Sequence, residues 1–409
     1  MKPDSGWLSW PSKGRGAFVK EWLDRGYEAL DDGWGAYDKH HVKPREYGGD
    51  HSQMTVAGVS AKTESKLRAV LDSYGARPDT GPASFSMSSP SRGRKRSYYD
   101  RDTPKPYFIA SITKLYTAAV VMQLRDAGLV DLDDSIERHL DAETVSGLNT
   151  CRGMEHSAEI TVRDLLAHTS GIAGYFDQKR RSGGTLLKKI LQTDRSWSIQ
   201  EALDIAKHDM SSRFAPGTAG KPFYSDTNYH LLALIIQSLT GASWEKVVES
   251  RVIAPLALND TWPFRPAEIA RYDEIAPMLH GQTPVRILLA MASVGAHGGL
   301  VSTADDGLRF LEAFMTGKLF DLLTLEEMQE DRKRIFFPLR YGLGMMRYGT
   351  PRLLSPGKGP RTYIGHSGSS GTVLFRAPSA DLYISGNVSQ IKNRALVYQL
   401  TSRLGAIAS

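Results

Sequence analysis

The sequence predicts an α+β fold, with an antiparallel sheet flanked by helices and a second lobe that is mostly helical. Short β-prone runs lie at 83–87 and again in the final third, at 341–344, 373–375 and 382–384. Between these two groups, apolar residues recur at helical spacing over long stretches. Strands near the ends of a chain with helices between them are typical of a mixed fold that carries a helical insertion.

Five amphipathic patterns predict helices in chain order: Phe18–Leu30, Lys66–Tyr74, a long helix from Ser111 to about Gly128, Thr227–Gly241 and Asn393–Ile407. Glycine is favoured just after a helix C-terminus, which supports the ends predicted at Gly128 and Gly241. A basic run at 92–96 separates two β-prone segments. We interpret this run as the solvated tip of a hairpin rather than as an anion site.

The composition is that of an ordinary globular protein, which excludes collagen, coiled coils and wholesale disorder. The 409 residues include 51 Lys and Arg against 45 Asp and Glu. This net charge of +6 is too small a surplus to imply nucleic-acid binding. The single cysteine, Cys151, excludes an intrachain disulfide and a thiolate metal cluster, because both need more than one sulfur.

Export and membrane insertion are not predicted. Residues 1–16 lack an apolar stretch of the length that a secretory signal needs, so we expect a cytoplasmic protein unless a signal has been removed. Thr227–Trp244 and Ile287–Ala304 carry no Asp, Glu, Lys or Arg. Polar residues interrupt both stretches, and no membrane span is predicted.

The chain is expected to have two parts. Residues 1–60 are rich in Gly, Pro, Trp and charge, and we interpret them as an N-terminal extension of uncertain structure. Residues 61–409 would form the main domain. Within it we expect a sheet lobe at about 61–110 and 290–409, and a helical lobe at about 111–289.

Ser111 and Lys114 form the first candidate site. Three residues apart on a helix, their side chains lie on one face and within reach of each other. A neighbouring lysine can activate a serine hydroxyl, and a helix N-terminus offers free backbone N–H groups to an oxyanion. The same spacing recurs at Ser243–Lys246, Ser355–Lys358 and Ser389–Lys392, but only Ser111 joins an apolar lead-in to a long amphipathic helix. The tetrad alone is also consistent with the alternative interpretation, an N-capping serine followed by a surface lysine.

Two further segments are candidates for the same site. A Pro-Gly turn at 216–217 leads to Tyr224 at the start of a predicted helix, where a half-buried aromatic is the alternative interpretation. The segment Gly-His-Ser-Gly-Ser-Ser-Gly at 365–371 precedes a β-prone run. Its small residues would let a substrate lie along a strand edge and would offer a backbone N–H to an oxyanion. Taken alone, it is an ordinary glycine-rich turn.

In this order, the segments that begin at Ser111, Tyr224 and His366 resemble the Ser-x-x-Lys, Tyr-x-Asn and His-x-Gly motifs of the serine β-lactamase and DD-peptidase superfamily. The similarity is closest to the class C-like branch, which includes the family VIII carboxylesterases, and spans about residues 60–405. Further similar segments lie at 160–172, 298–304 and 341–345. The resemblance implies the β-lactamase/transpeptidase-like fold.

The resemblance also implies a role for each motif. Ser111 would be the acylated nucleophile with Lys114 as its partner, and Tyr224 the general base that also serves the leaving group. His366 would polarise the site from a strand. The backbone N–H groups of Ser111 and Ser369 would form the oxyanion hole. Supporting roles are implied for Asp226, Gly368, His168 and Thr169.

Two positions depart from the superfamily's pattern. Asp226 replaces the asparagine of Tyr-x-Asn, and its carboxyl should be ionised at pH 7. That charge would favour the ammonium form of Lys114, which in turn would favour tyrosinate at Tyr224. We therefore expect Tyr224 to be the base and Lys114 its electrostatic support. His366 replaces a lysine of many β-lactamases, so a fixed charge for a substrate carboxylate is missing and penicillin hydrolysis is less expected.

The resemblance implies a metal-free serine hydrolase that works through an acyl-enzyme on small-molecule esters. A D-amino-acid amidase, a peptidase, a β-lactamase or an acyltransferase with the same site stays open, because pocket shape decides the substrate. A non-catalytic binding protein with this fold is the alternative of a different class. We predict no cofactor and no nucleic-acid partner, and make no prediction of the oligomeric state. A histidine-rich cluster in the extension fits no standard metal site: His40, His41, Asp50 and His51.

Overall fold

The structure is a computed structural model, and it describes residues 61–99, 104–218, 222–330, 333–350, 359 and 362–408. The extension expected at 1–60, with its histidine cluster, lies outside the described residues, as does the Ser355–Lys358 tetrad. The predicted domain boundaries stay predictions.

The helices of the described part are α1 Ala61–Gly75, α2 Thr113–Asp126, α3 Ala142–Val145, α4 Val162–Ala167, α5 Leu186–Gln192, α6 Ile199–His208, α7 Asp226–Thr240, α8 Trp244–Val248, α9 Leu288–Met291, α10 Ala304–Met315, α11 Leu322–Gln329 and α12 Leu396–Ala408. The strands are β1 Ser84–Ser89, β2 Arg94–Tyr99, β3 Tyr107–Phe108, β4 Thr150–Cys151, β5 Met154–Glu155, β6 Trp262–Pro263, β7 Met278–His280, β8 Thr283–Val285, β9 Leu300–Ser302, β10 Lys333–Phe336, β11 Leu339–Tyr341, β12 Met346–Gly349, β13 Thr362–Gly368, β14 Thr372–Ala377 and β15 Leu382–Asn387.

An antiparallel eight-stranded sheet joins the two ends of the described chain. Its strand order is β10-β11-β12-β13-β14-β15-β1-β2. The early strand β1 therefore pairs with the last strand, β15, and places Phe85 opposite Gly386. This arrangement confirms the predicted α+β fold with an antiparallel sheet.

The side chains of each strand alternate between the two faces of the sheet, and helices pack on both faces. Val373 and Phe375 point toward the side on which α1 and α12 pack, whereas Leu374 between them points toward the side on which α10 packs. Both faces are therefore buried.

Helix α2 runs through the core of the helical part and packs against α7 and α8. Nearly all of its residues are buried, including Lys114. A helix that is buried on all sides differs from the amphipathic helix that the sequence predicts, in which one face meets water. Helix α7 ends where glycine was expected to end it, since Gly241 adopts the left-handed conformation with φ of 69°.

Two local expectations differ from the structure. Helix α2 begins at Thr113, and Ser111 lies in the short 3-10 turn that precedes it. The basic run forms the hairpin tip only in part: Arg92 lies in the tip, Pro90–Gly93, whereas the residues from Arg94 onward lie on the edge strand β2. Arg96 there pairs with Glu64 of α1, so the charges serve the packing and solubility of an edge strand.

In the described ranges, no single helix is long and apolar enough to cross a membrane. The helices Asp226–Thr240 and Trp244–Ile253 meet at a bend of 76°. Only when taken together do they have the length and composition of a membrane span. Most residues of α7 lie in the buried core of the helical part.

We predict that Gly386→Ala lowers the free energy of unfolding by about 1–3 kcal/mol, the usual effect of overpacking. A Cβ at this position would lie 2.1 Å from Cδ1 of Phe85, whose ring is fully buried. Thermal or denaturant unfolding measures the effect. Gly349→Ala is the matched control in a strand, because a Cβ there would meet only the carbonyl oxygen of Pro338, at 3.9 Å. Equal stability of the two variants would contradict the close contact with Phe85.

Candidate active site

Ser111 lies where the strand β3 turns into the buried helix α2. It is the central residue of the 3-10 turn Ala110–Ile112 and is half-buried. The preceding Ala110 has a φ of 45°, a conformation that residues other than glycine rarely adopt. Such strain is maintained only where the surrounding structure imposes it, and it is common at functional sites. The turn presents the Ser111 hydroxyl at the end of α2.

The turn that follows β13 is fixed against the same segment. The Thr372 hydroxyl donates a hydrogen bond of 3.0 Å to the carbonyl oxygen of Ile109. A Cβ on Gly368 would lie 2.3 Å from that oxygen, so only glycine permits the approach. Ser369 is thereby held next to the Ser111 turn. The oxyanion hole formed by the N–H groups of Ser111 and Ser369 stays a prediction.

Lys114 is fully buried and connects three parts of the chain. Its Nζ atom lies 3.0 Å from Oγ of Ser111, 2.7 Å from Oδ1 of Asp226 and 2.8 Å from the carbonyl oxygen of His297. Three oxygen atoms thus surround Nζ, one for each N–H of an ammonium, and one of them belongs to a carboxylate. An ammonium has three donors and no acceptor, so in this form Lys114 cannot take a proton from Ser111.

Asp226 is the first residue of α7 and is buried. Burial on its own would raise the pKa of Asp226, but the Lys114 ammonium and the hydrogen bond from His297 overcome it and hold the pKa well below its usual range. A negative charge at a helix N-terminus also interacts favourably with the helix dipole. Asp226 is therefore a carboxylate at neutral pH.

His168 holds Tyr224 through the backbone on both sides of it. The carbonyl oxygen of His168 accepts a hydrogen bond of 2.8 Å from the N–H of Phe223, and its Nδ1 accepts one of 3.2 Å from the N–H of Ser225. The imidazole also packs on the Tyr224 ring, with ring centroids 4.3 Å apart. Burial lowers the pKa of His168 well below its usual value, so the ring is neutral. His168 thus supports the position of Tyr224 without adding charge.

Tyr224 is a protonated phenol at neutral pH. Burial, followed by the charge of Asp226, raises the pKa of Tyr224 well above its ordinary value, and a weaker effect of the Ser111 hydroxyl opposes the rise. The expectation that Lys114 favours tyrosinate is therefore wrong, although Nζ lies only 4.9 Å from the ring centroid. The negative charge of Asp226 offsets the positive charge of Lys114, so burial determines that Tyr224 stays protonated. Within the described residues the Tyr224 hydroxyl makes no well-aligned hydrogen bond.

His366 lies on β13 and is fully buried. Its Nδ1 lies 2.7 Å from the carbonyl oxygen of Ser367 and so carries the proton, while its Nε2 accepts a hydrogen bond of 3.1 Å from Tyr341. Burial, and then the charge of Lys114, lowers the pKa of His366 to about 3. His366 is therefore neutral at physiological pH, and it offers the site a dipole rather than a positive charge.

A buried network that the sequence analysis missed contacts Asp226 from the other side. Nδ1 of His297 lies 3.3 Å from Oδ1 of Asp226, and its Nε2 lies 2.8 Å from the Tyr175 hydroxyl. The same hydroxyl lies 3.0 Å from Nε2 of His230 and 3.1 Å from Nε1 of Trp197. In the sequence, His230 and His297 were visible only as polar residues that interrupt uncharged stretches.

The hydrogen bonds of this network have one consistent direction. An N–H at Nδ1 of His297 faces Asp226, so its Nε2 accepts the proton of Tyr175. The oxygen of Tyr175 then accepts from the N–H groups of Trp197 and His230. Burial lowers the pKa of both histidines, which are neutral. The network orients Asp226 without adding a charge.

The structure thus brings the main candidates together. Ser111, Lys114 and Asp226 are linked by direct hydrogen bonds, and the Tyr224 ring packs over the lysine. The other described tetrads lie elsewhere in the fold: Ser243 precedes α8, and Ser389 accepts a hydrogen bond from Asn387. In the part of the chain that the structure describes, no group of three or more His, Cys, Asp or Glu side chains is arranged to hold a metal ion.

Comparison with known proteins identifies the family. A Beta-lactamase family model matches residues 86–397. Penicillin-binding protein 4 of Amycolatopsis lactamdurans is 31% identical over 207 residues, which cover 49% of this chain and 48% of that protein. The chain therefore matches about half the length of this relative.

Solved structures share the fold at low sequence identity. The D-amino acid amidase of Ochrobactrum anthropi SV3, complexed with L-phenylalanine, has a TM-score of 0.66 and 22% identity, over 84% of this chain and 97% of that chain. EstCE1, a hydrolase with promiscuous acyltransferase activity, has a TM-score of 0.69 and 17% identity, over 84% and 98%. A D-stereospecific amidohydrolase from Streptomyces sp. has a TM-score of 0.65 and 24% identity, over 82% and 97%. The β-lactamase/transpeptidase-like fold is confirmed.

The family match covers more than half of the chain and includes all three motifs on which the resemblance rests. It confirms the similarity to the serine β-lactamase and DD-peptidase superfamily. The chain therefore belongs to the beta-lactamase family.

Proposed function

We propose that the protein hydrolyses small-molecule carboxylic esters through an acyl-enzyme on Ser111. The observation that carries the proposal is the contact of 3.0 Å between Oγ of Ser111 and a lysine ammonium that is fixed by Asp226. A buried cation at this distance stabilises a developing alkoxide, because charge interactions are stronger away from water. Two structural neighbours, the amidase and EstCE1, are hydrolases by their names.

Acylation needs a group that takes the proton of Ser111. Lys114 cannot take it as an ammonium, and Tyr224 does not start as tyrosinate. We infer that the neutral phenol acts as a relay. Its oxygen accepts the Ser111 proton while its own proton moves to the leaving group, and the Ser111 oxygen forms a bond to the substrate carbonyl carbon. The bond from that carbon to the leaving group then breaks, and Tyr224 ends as it began, neutral.

Deacylation uses the same groups in the opposite direction. Water attacks the acyl carbon and passes a proton to the Tyr224 oxygen, whose own proton returns to Oγ of Ser111 as the acyl bond breaks. Lys114 again faces the Ser111 oxygen that gains charge. The products are a carboxylic acid and the free enzyme.

The electrostatics around His366 favour substrates without a carboxylate over β-lactams that carry one. Neutral His366 offers no fixed cation for a substrate carboxylate. Amides are a second candidate class, because the protonated Tyr224 phenol can supply the proton that an amine leaving group needs. The cytoplasmic location stays a prediction.

We predict that Ser111→Ala abolishes covalent labelling and lowers ester turnover by about three to six powers of ten, as loss of a covalent nucleophile does in other serine hydrolases. Intact-mass measurement after incubation with a fluorophosphonate probe checks the labelling, and p-nitrophenyl esters report turnover. Ser243→Ala removes the serine of another Ser-x-x-Lys tetrad and should be labelled like the wild type. A labelled Ser111→Ala protein would place the nucleophile elsewhere.

Tyr224→Phe should slow the hydrolysis of alkyl esters by about 10²–10⁴-fold. The loss should be smaller for p-nitrophenyl esters, because nitrophenolate leaves without a proton and the donating half of the relay is then not needed. A comparison of kcat/KM for methyl and p-nitrophenyl esters of one acid measures the difference. If the loss is the same for both leaving groups, Tyr224 acts on Ser111 alone and the relay is wrong.

Asp226→Asn should move the alkaline limb of the acylation profile to lower pH. Burial and then the charge of Asp226 raise the pKa of Tyr224, so without this charge the protonated phenol that the relay needs is lost earlier as pH rises. Single-turnover acylation measured across pH checks this. Asp133→Asn, at an exposed carboxylate paired with Arg163, is the control and should keep the wild-type profile. An unchanged profile in Asp226→Asn would show that the carboxylate does not influence the acylation step.

A further inference from the structure

The Asp177 carboxylate belongs to the region of the proposed site. The mechanism proposed above gives this carboxylate no role. Asp177 lies between α4 and α5, and 35% of its side chain is exposed. The next residue, Gln178, is hydrogen-bonded to the backbone of Tyr224, which places the Asp177 turn beside the proposed site. Burial is the main cause of the raised pKa of Tyr224, and the charge of Asp177 adds to it.

The residue after Asp177 fixes its position relative to Tyr224. Nε2 of Gln178 donates a hydrogen bond of 2.7 Å to the carbonyl oxygen of Tyr224, and its Oε1 accepts one of 3.0 Å from the N–H of Gly174. A Cβ on Gly174 would lie 2.9 Å from that same Nε2, so glycine leaves room for the amide. The backbone of the Asp177 turn is thus bound directly to the backbone of the catalytic tyrosine.

Arg394 faces Asp177 from the other side. Its Nη1 lies 3.8 Å from Oδ2 of Asp177, and 52% of its side chain is exposed. One turn later along the chain, Tyr398 contacts the hydroxyl of Ser367 on β13, which places this part of α12 beside the third motif. A separation of 3.8 Å is too long for a hydrogen bond, and exposed ion pairs of this kind contribute little. A substrate cation can therefore replace Arg394 at Asp177.

The charges around Asp177 favour the binding of a cation that lies closer than Arg394. Burial, and then the negative charge of Asp226, raises the pKa of Asp177, while Arg394 and Lys114 act in the opposite direction. Lys114 and Asp226 are themselves paired at 2.7 Å and largely offset each other. An ammonium group within hydrogen-bond distance would interact with Asp177 more strongly than Arg394 does.

We propose that Asp177 binds an ammonium group of the substrate, so that the preferred esters or amides carry a positively charged amine near the scissile bond. This inference rests on the proposed function and specifies its substrate class. The amine can belong to the acyl part, as in amino-acid esters, or to the leaving group, and Asp177 would recognise the same charge in both.

Two isosteric pairs of esters test the proposal. For the acyl part, each enantiomer of phenylalanine methyl ester is compared with the corresponding enantiomer of methyl 2-methyl-3-phenylpropanoate, in which a methyl group replaces the ammonium. For the leaving group, 2-(dimethylamino)ethyl 3-phenylpropanoate, assayed at a pH where its amine is protonated, is compared with the 3-methylbutyl ester of the same acid. In at least one pair the wild type should prefer the cationic member about 10-fold or more in kcat/KM, and Asp177→Asn should remove most of that preference while the neutral member keeps its value within about twofold.

Asp273→Asn is the matched control, because it removes an exposed carboxylate that also faces an arginine, Arg286. It should keep the wild-type preference. Equal turnover of both members in both pairs by the wild type, or a preference that survives Asp177→Asn, would overturn the proposal. In that case Ser111-dependent hydrolysis of the neutral esters would leave the proposed function intact, whereas no hydrolysis of any ester would reject both.

Discussion

The buried ion pair between Lys114 and Asp226 is the interaction on which the site depends. Removing two charges from water costs several kcal/mol per ion, and only good geometry with further hydrogen bonds offsets that cost. Here the ammonium also contacts Ser111 and a carbonyl oxygen, and the carboxylate also contacts His297 and begins a helix. Each charge therefore stabilises the other, and removal of one would leave the other unpaired at a cost of about 3–5 kcal/mol.

This pair can form only because distant segments approach closely. Lys114 and Asp226 belong to α2 and α7, which pack in the core of the helical part, while the third motif reaches Ser111 from the sheet. Glycine permits the closest contacts: a Cβ on Gly344 would lie 2.4 Å from Cβ of Ala118 in α2, and one on Gly368 would collide with the backbone before Ser111. Glycine at these two positions thus permits the close approach of the loops to α2 and to the backbone before Ser111.

The sequence predicted the parts of the site that have local signatures. A Ser-x-x-Lys tetrad and a glycine-terminated helix are short patterns, and they led to Ser111, Lys114 and the helix that carries Asp226. The ionisation of Tyr224 was predicted wrongly, because it depends on burial and on the balance between two neighbouring charges, which spacing does not encode. His297 was missed for a similar reason: its contacts with Asp226 and Tyr175 join residues far apart in the chain.

The groups proposed to carry out the chemistry are buried, whereas the groups proposed to select the substrate by its charge lie nearer the surface. Around Ser111 the positive Lys114 and the negative Asp226 offset each other, and burial keeps His168, His297 and His366 neutral. A proton relay through a neutral phenol fits such surroundings, because it moves a proton without leaving a charge on Tyr224. The proposed discrimination by charge depends on groups nearer the surface, where Asp177 and Arg394 face each other across 3.8 Å. Because both are more exposed than Lys114 and Asp226, they can be substituted without removing either charge of the buried pair, although the charge of Asp177 adds to the effect of burial on the pKa of Tyr224.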